Sequence, residues 1–331
     1  MYPELFEIPL IHLTVKSYGL MMVIGFLSAV FLIRRLSRNI TPDPQLITNA
    51  ALYSLIAGVA GARLFYVVHY FNTFRGHLLS VFAIWKGGLE LLGGVLLAIA
   101  VIFFYLWRHK LPIRQYLDIL AVALMLALAF GRIGCFLNGC CFGKPTELPW
   151  AVRFPYGSLT YHSQVNPNPK RNRPHPQLKL PYEFFGYIGK DGLSYSGLKP
   201  YESLTQQQKN LVDNGPYRCL LVHPTQLYSS ANGALLCLIL YFFWRRTKKK
   251  AGKPLSKPGS TFALMFILYG ITRFFIEFLR DDSPFEYAWW AVYKGGTVSQ
   301  NLGIYMLIFG VILIALFQKM KPDKLTLSNS K

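Results

Sequence analysis

Seven runs of apolar residues dominate the chain, at about 17–36, 49–70, 87–107, 116–137, 226–244, 260–280 and 300–318. Each is close to the roughly 20 residues a helix needs to cross the hydrocarbon core of a bilayer. In that core every backbone N–H and C=O must be satisfied within the segment, so runs of this length become helices. With 53% of its 331 residues hydrophobic and 15% charged, the chain is too apolar for an ordinary soluble domain. The expected fold class is an all-α polytopic membrane protein of about seven transmembrane helices.

The formal net charge of +20 would suit a nucleic-acid partner, but its placement argues against one. Arg34, Arg35 and Arg38 follow the first run, and Arg108, Lys110 and Arg114 the third. Arg245, Arg246, Lys248, Lys249, Lys250, Lys253 and Lys257 follow the fifth; Lys319, Lys321, Lys324 and Lys331 follow the seventh. The intervening short connections hold little positive charge: Arg75 with His77, or Arg280 and Lys294 offset by Asp281, Asp282 and Glu286. This alternation is the positive-inside pattern, which puts the N-terminus outside and the C-terminus in the cytoplasm. No nucleic-acid partner is expected. Glu4 and Glu7 precede the first run and its arginines follow it, so that run reads as an uncleaved anchor rather than a signal peptide.

One long connection, about 138–225, breaks the rhythm as an insert on the outer face. Its charge does not disturb the topology, because long loops translocate regardless of it. Asn166 to Pro176 has no apolar period and reads as irregular. Leu204 to Asp213 reads as a short helix, with Ser203 as N-cap and Asn214-Gly215 as its stop. Trp150 to Phe154 alternates like a short strand. The expectation is a small periplasmic head of mixed structure on a transmembrane domain covering 1–318, then a polar, disordered cytoplasmic tail at 319–331. The sequence shows no internal repeat and no separate soluble domain.

Ionisable residues inside spans are costly and usually face a bundle interior at a functional site. Arg63, Arg132 and Arg273 qualify, in the settings Gly61-Ala-Arg63, Gly131-Arg-Ile-Gly134 and Gly270-Ile-Thr-Arg273. Small neighbours let helices approach closely, leaving the guanidinium groups directed into a shared cavity. Arginine grips a phosphate by two parallel charge-assisted hydrogen bonds, so the expected ligand is an anionic lipid headgroup. The competing reading is structural pairing with buried acids. Glu277, four residues after Arg273, suits that partly, whereas Arg132 has only the distant Asp118.

The densest motif is Gly131-Arg-Ile-Gly-Cys-Phe-Leu-Asn-Gly-Cys-Cys-Phe-Gly143. Its four glycines predict a helix that breaks at the outer interface, with backbone N–H groups forming an anion nest beside Arg132. His223-Pro-Thr-Gln-Leu-Tyr228 opens the fifth span, where Pro224 fits a first helical position and the polar side chains offer hydrogen bonds.

These motifs, with Tyr269-Gly-Ile-Thr-Arg-Phe-Phe-Ile-Glu-Phe-Leu-Arg280, Tyr18-Gly-Leu20, Gly61-Ala-Arg63 and Trp85-Lys-Gly-Gly-Leu-Glu-Leu-Leu-Gly-Gly94, resemble the prolipoprotein diacylglyceryl transferase family. The likeness runs in order through nearly the whole membrane part and misses mainly the insert. It implies an enzyme of the bacterial inner membrane that transfers the diacylglyceryl group of phosphatidylglycerol to the lipobox cysteine of a prolipoprotein, releasing glycerol 1-phosphate. By resemblance Arg132 holds the phosphatidylglycerol headgroup with Asn138, Gly143, Tyr269 and Arg63. Arg273 assists the leaving phosphate with Glu277 and Tyr18, and His223, Gln226 and Tyr228 are further candidates. The resemblance implies no metal and no organic cofactor.

Three positions depart from the family pattern. Leu92 stands at the family histidine, Cys135 at an asparagine and Cys140 at a glutamate. Of the five cysteines, Cys135, Cys140 and Cys141 cluster at the outer end of the fourth span. They read as small buried apolar residues, or Cys140 or Cys141 bridges to Cys219, and no second pair or histidine stands at metal-ligand spacing. Cys237 reads as packing. Three functions remain: an active transferase, a catalytically inactive relative that binds anionic lipid or lipoprotein, and a membrane thiol–disulfide protein using Cys140 and Cys141.

Overall fold

The computed structural model describes residues 4–8, 13–38, 40, 43, 45–74, 78–82, 88, 90–189, 192–249 and 255–320. The seven apolar runs form the long helices α1 (Ser17–Ser37), α2 (Gln45–His69), α3 (Leu91–Arg108), α4 (Ile113–Asn138), α5 (Thr225–Lys249), α6 (Ser260–Glu277) and α7 (Val298–Lys319). Six are long and apolar enough to span a bilayer; α3 is apolar but shorter. Large apolar side chains such as Leu27, Phe31, Val68 and Phe104 remain exposed on their outer faces, which suits lipid and not water. The chain is a multi-pass membrane protein. The expected disordered tail lies, from residue 321 on, outside the described residues, as do residues 85–87 and 89 of the Trp85–Gly94 motif.

Helix α4 is central: α1, α5 and α6 pack on it, while α2 pairs with α3 and α6 with α7. Its Ala121, Val122 and Ala123 are fully buried, small enough to let neighbours close in. The α6–α7 pair crosses at Gly270, where an added Cβ would lie 2.5 Å from the Gly303 carbonyl. Asp118 of α4 ties in the start of α6, accepting the Gly259 N–H at 2.8 Å and the Phe262 N–H at 2.9 Å. Those are amides the first turn of a helix leaves without partners, so one buried carboxylate fixes α6 against α4.

Basic residues gather where α1, α5 and α7 end and α4 and α6 begin. There Lys257 donates from Nζ to the carbonyls of Gln318 and Met320. The other end carries the head. The head core contains Phe154, Tyr161, Phe184, Leu204, Cys219 and Val222, and a hairpin of β3 (Phe185–Ile188) and β4 (Ser194–Leu198) lies on it. A hairpin of β1 (Glu4–Ile8) and β2 (Leu13–Lys16), which the sequence reading did not foresee, leads into α1.

Two local expectations change. The insert's short helix is Gln206–Asp213, capped by Thr205 in a reciprocal capping box with Gln208, because Leu204 is drawn into the head core. Trp150–Phe154 is not a strand: only Val152 bridges to Val222.

Candidate active site

Helix α4 ends at Asn138 on a left-handed Gly139, φ 72°. The Cys140 N–H returns to the Cys135 carbonyl at 3.1 Å and the Gly139 N–H to Phe136 at 3.2 Å, the bonding of a Schellman termination. The glycine-rich motif thus breaks the helix as its composition predicts. The His223 motif then fixes the turn that follows. Gln226 Nε2 donates to the Cys140 carbonyl at 2.7 Å, Thr225 Oγ1 to the Cys141 carbonyl at 2.8 Å, and the Gly143 N–H to the His223 carbonyl at 3.1 Å.

This arrangement leaves no room at Gly143. An added Cβ would lie 2.6 Å from the His223 carbonyl oxygen and 2.9 Å from that of Leu279. Gly143→Ala therefore forces apart three backbone segments, an overpacking cost of about 1–3 kcal/mol. We expect at least a roughly tenfold fall in activity with the protein still inserted; activity equal to the parent would show that the turn yields freely.

Arg132 lies nearly two turns before the break, half-buried, within electrostatic reach of Tyr269, Cys141, Cys135 and Arg280. Among the described residues its guanidinium has no hydrogen-bond or ion-pair partner. Helix α6 brings Arg273 alongside. Its Nη2 is 2.8 Å from Glu277 Oε2 and donates to Ser299 Oγ at 2.7 Å, while its buried Nη1 has no hydrogen-bond partner among the described residues. Glu277, 1% exposed, also accepts from Thr297 Oγ1 at 3.1 Å and lies 3.7 Å from Arg280 Nε. One buried carboxylate thus faces two guanidinium groups, with Arg132 beyond them. The site carries more cationic than anionic charge and keeps N–H donors unused, a cradle for an anion such as a phosphate.

Tyr18 packs on this group from the start of α1, its ring against Gly134 and within electrostatic reach of Arg132 and the three clustered cysteines. Tyr269 lies within reach of both Arg132 and Arg273, and the Asn138 side chain reaches Cys140. Arg63 goes elsewhere. Expected to share the cavity, it instead donates to the carbonyls of Val81 (2.7 Å), Gly88 (2.9 Å) and Ser80 (2.7 Å), beside the rings of Tyr66 and Phe74. It ties the connection between α2 and α3. Leu92 is 66% exposed on the first turn of α3. Gln226 is fully buried in its structural bond, and Tyr228 Oη accepts from Trp150 Nε1 at 2.7 Å. The His223 imidazole is pushed below its usual pKa by burial and then by Lys144, so it is uncharged at neutral pH.

The insert, whose role the sequence left open, reaches the end of α6 beside the site. Arg280 pairs with both oxygens of Asp282, at 2.9 and 2.7 Å, and its carbonyl accepts from Arg171. Next to it, Asp281 takes Arg173 Nη1 at 2.6 Å and Gln177 Nε2 at 3.1 Å. The irregular run around Pro169–Arg173 therefore clamps the head to the end of α6.

All five cysteines are free thiols. Cys219 donates to Gln164 Oε1 at 3.3 Å within the head core, where burial pushes its thiol up to about 11; the alternative of a bridge to Cys140 or Cys141 is not formed. The sulfurs of Cys135, Cys140 and Cys141 all lie within 4.8 Å of one another.

A family model described as prolipoprotein diacylglyceryl transferase matches residues 3–316. Proteins with the name phosphatidylglycerol–prolipoprotein diacylglyceryl transferase are similar along most of the chain. That of Buchnera aphidicola (subsp. Acyrthosiphon pisum, strain APS) is 30% identical over 90% of this chain and 90% of its own. That of Burkholderia multivorans is 29% identical over 91% and 90%, and that of Thermosynechococcus vestitus 27% over 82% and 79%.

Proposed function

The chain belongs to the prolipoprotein diacylglyceryl transferase family, and we propose that it performs that reaction at the arginine group on the head end of its bundle. The substrates are phosphatidylglycerol and a prolipoprotein with a lipobox cysteine, and the products are the thioether-linked lipoprotein and glycerol 1-phosphate. The membrane is the bacterial inner membrane, with the basic end of the bundle in the cytoplasm and the head outside.

The observation that carries this reading is Arg132, a guanidinium in a membrane helix with no protein partner among the described residues, beside Arg273 with its unused Nη1. A phosphate diester between them takes N–H donors from both. As the cysteine sulfur attacks the glycerol carbon and the C–O bond breaks, negative charge grows on the departing phosphate, where fixed cations stabilise it most. Glu277 holds Arg273 and Arg280 in place by charge and Thr297 holds Glu277. Asn138, Tyr18 and Tyr269 stand beside this group, while Gly143 and Gln226 fix the turn next to it.

Expression in a bacterial cell depleted of its own transferase tests this. Growth and mature lipoprotein are the expected result; neither, at full expression and correct insertion, would favour an inactive lipid-binding relative.

A further inference from the structure

Three thiols meet beside the arginine group. Cys135 stands in the last turn of α4, and Cys140 and Cys141 follow the break. For a residue other than glycine, Cys141 has an uncommon left-handed backbone, φ 59°. That turn, with Gly139, brings all three sulfurs within 4.8 Å of one another. Gln226 and Thr225 hold the carbonyls of Cys140 and Cys141, so the arrangement is built rather than left to a loose loop. A tetrahedral zinc ion with Zn–S bonds of about 2.3 Å needs its sulfurs about 3.8 Å apart, inside the span of this cluster. Three thiolates around Zn²⁺ carry one net negative charge, and Arg132 and Arg280, within electrostatic reach of Cys141, offset it. The Asn138 side chain supports Cys140 from outside the cluster.

We infer that Cys135, Cys140 and Cys141 bind one zinc ion whose fourth position receives the lipobox cysteine as thiolate. The role of that fourth position rests on the transferase reading above. Zinc sites with three protein ligands and one open place are the catalytic kind, and a thiol coordinated to zinc is deprotonated outright. Zinc-bound hydroxide takes the thiol proton and departs as water while the sulfur takes its place. The sulfur then attacks the glycerol carbon of phosphatidylglycerol, forming the S–C bond. The C–O bond breaks with its electron pair going to the departing glycerol 1-phosphate, the neutral thioether leaves zinc for water, and that water gives a proton to the phosphate monoester, restoring the hydroxide. Leu92, exposed on α3, has no part in this, and no histidine is needed.

The test uses the full-length protein purified in detergent without added metal, and the same protein loaded with Co²⁺. We expect about one zinc per chain, reduced at least tenfold in each of Cys135→Ser, Cys140→Ser and Cys141→Ser. Elution of each variant as the parent does, in size exclusion, separates loss of metal from misfolding. The Co²⁺ protein should show a thiolate-to-metal charge-transfer band that intensifies with a lipobox peptide and not with its Cys→Ser version. No zinc, copper instead of zinc, zinc unchanged in the three variants, or a cobalt spectrum indifferent to the peptide would overturn the inference. Diacylglyceryl transfer, measured on the same preparations, separates the two readings. Transfer without zinc sinks only the metal site, and zinc without transfer sinks the transferase assignment.

Discussion

Arg132→Ala should abolish diacylglyceryl transfer, by about 10²–10³-fold or more, while leaving the protein folded and inserted. The size follows from what the side chain does in the free protein. Most buried guanidinium groups here are already engaged: Arg63 by three carbonyls, Arg173 by Asp281 and Ser163, Arg280 by Asp282. Removing one of those would cost structure. Arg132 has no such engagement among the described residues, so truncating it should cost little structure while removing the cation proposed to meet the lipid phosphate. The check is a transfer assay in phosphatidylglycerol membranes together with the elution profile of the variant. Near-normal transfer would remove Arg132 from the site.

Glu277→Ala should have the second largest effect, and it should be of the other kind. The carboxylate is fully buried, 2.8 Å from Arg273, 3.7 Å from Arg280 and bonded to Thr297. Its loss leaves two cations facing each other without the charge that holds them together. Removing one partner of a buried ion pair costs about 3–5 kcal/mol. The variant should lose both activity and thermal stability in detergent. Lost activity with the parent's stability would instead make Glu277 a direct participant in proton transfer; full activity and stability would contradict the electrostatic account.

The helices were legible because the bilayer writes its requirement into composition: seven apolar runs became seven long helices, with ends moved by a few residues. The break after Arg132 was legible for a similar reason, since Gly139 supplies the left-handed turn that its position demands. Of the three arginines that closely follow a glycine in an apolar run, Arg63 was the one whose setting leaned most to a structural role, but its partners were not legible. Its carbonyl partners at 80, 81 and 88 are set by how the next connection folds.

The clamp of Arg171 and Arg173 on the end of α6 joins residues more than a hundred positions apart, which no spacing rule reaches. The three cysteines were visibly close in sequence, but the convergence of their sulfurs was not legible. Positions 135, 140 and 141 do not share a face of a continuous helix, and only the left-handed turns at 139 and 141 bring them together. The presence of Gly139 ahead of two cysteines is the one local signal that pointed there.

The most direct measurement is transfer by the purified protein in nanodiscs of phosphatidylglycerol labelled in its acyl chains, with a lipobox peptide as acceptor. The account predicts label on the peptide cysteine as a thioether, equimolar release of glycerol 1-phosphate, and neither product when phosphatidylcholine replaces phosphatidylglycerol. A folded, lipid-embedded protein that leaves the peptide unmodified would contradict it.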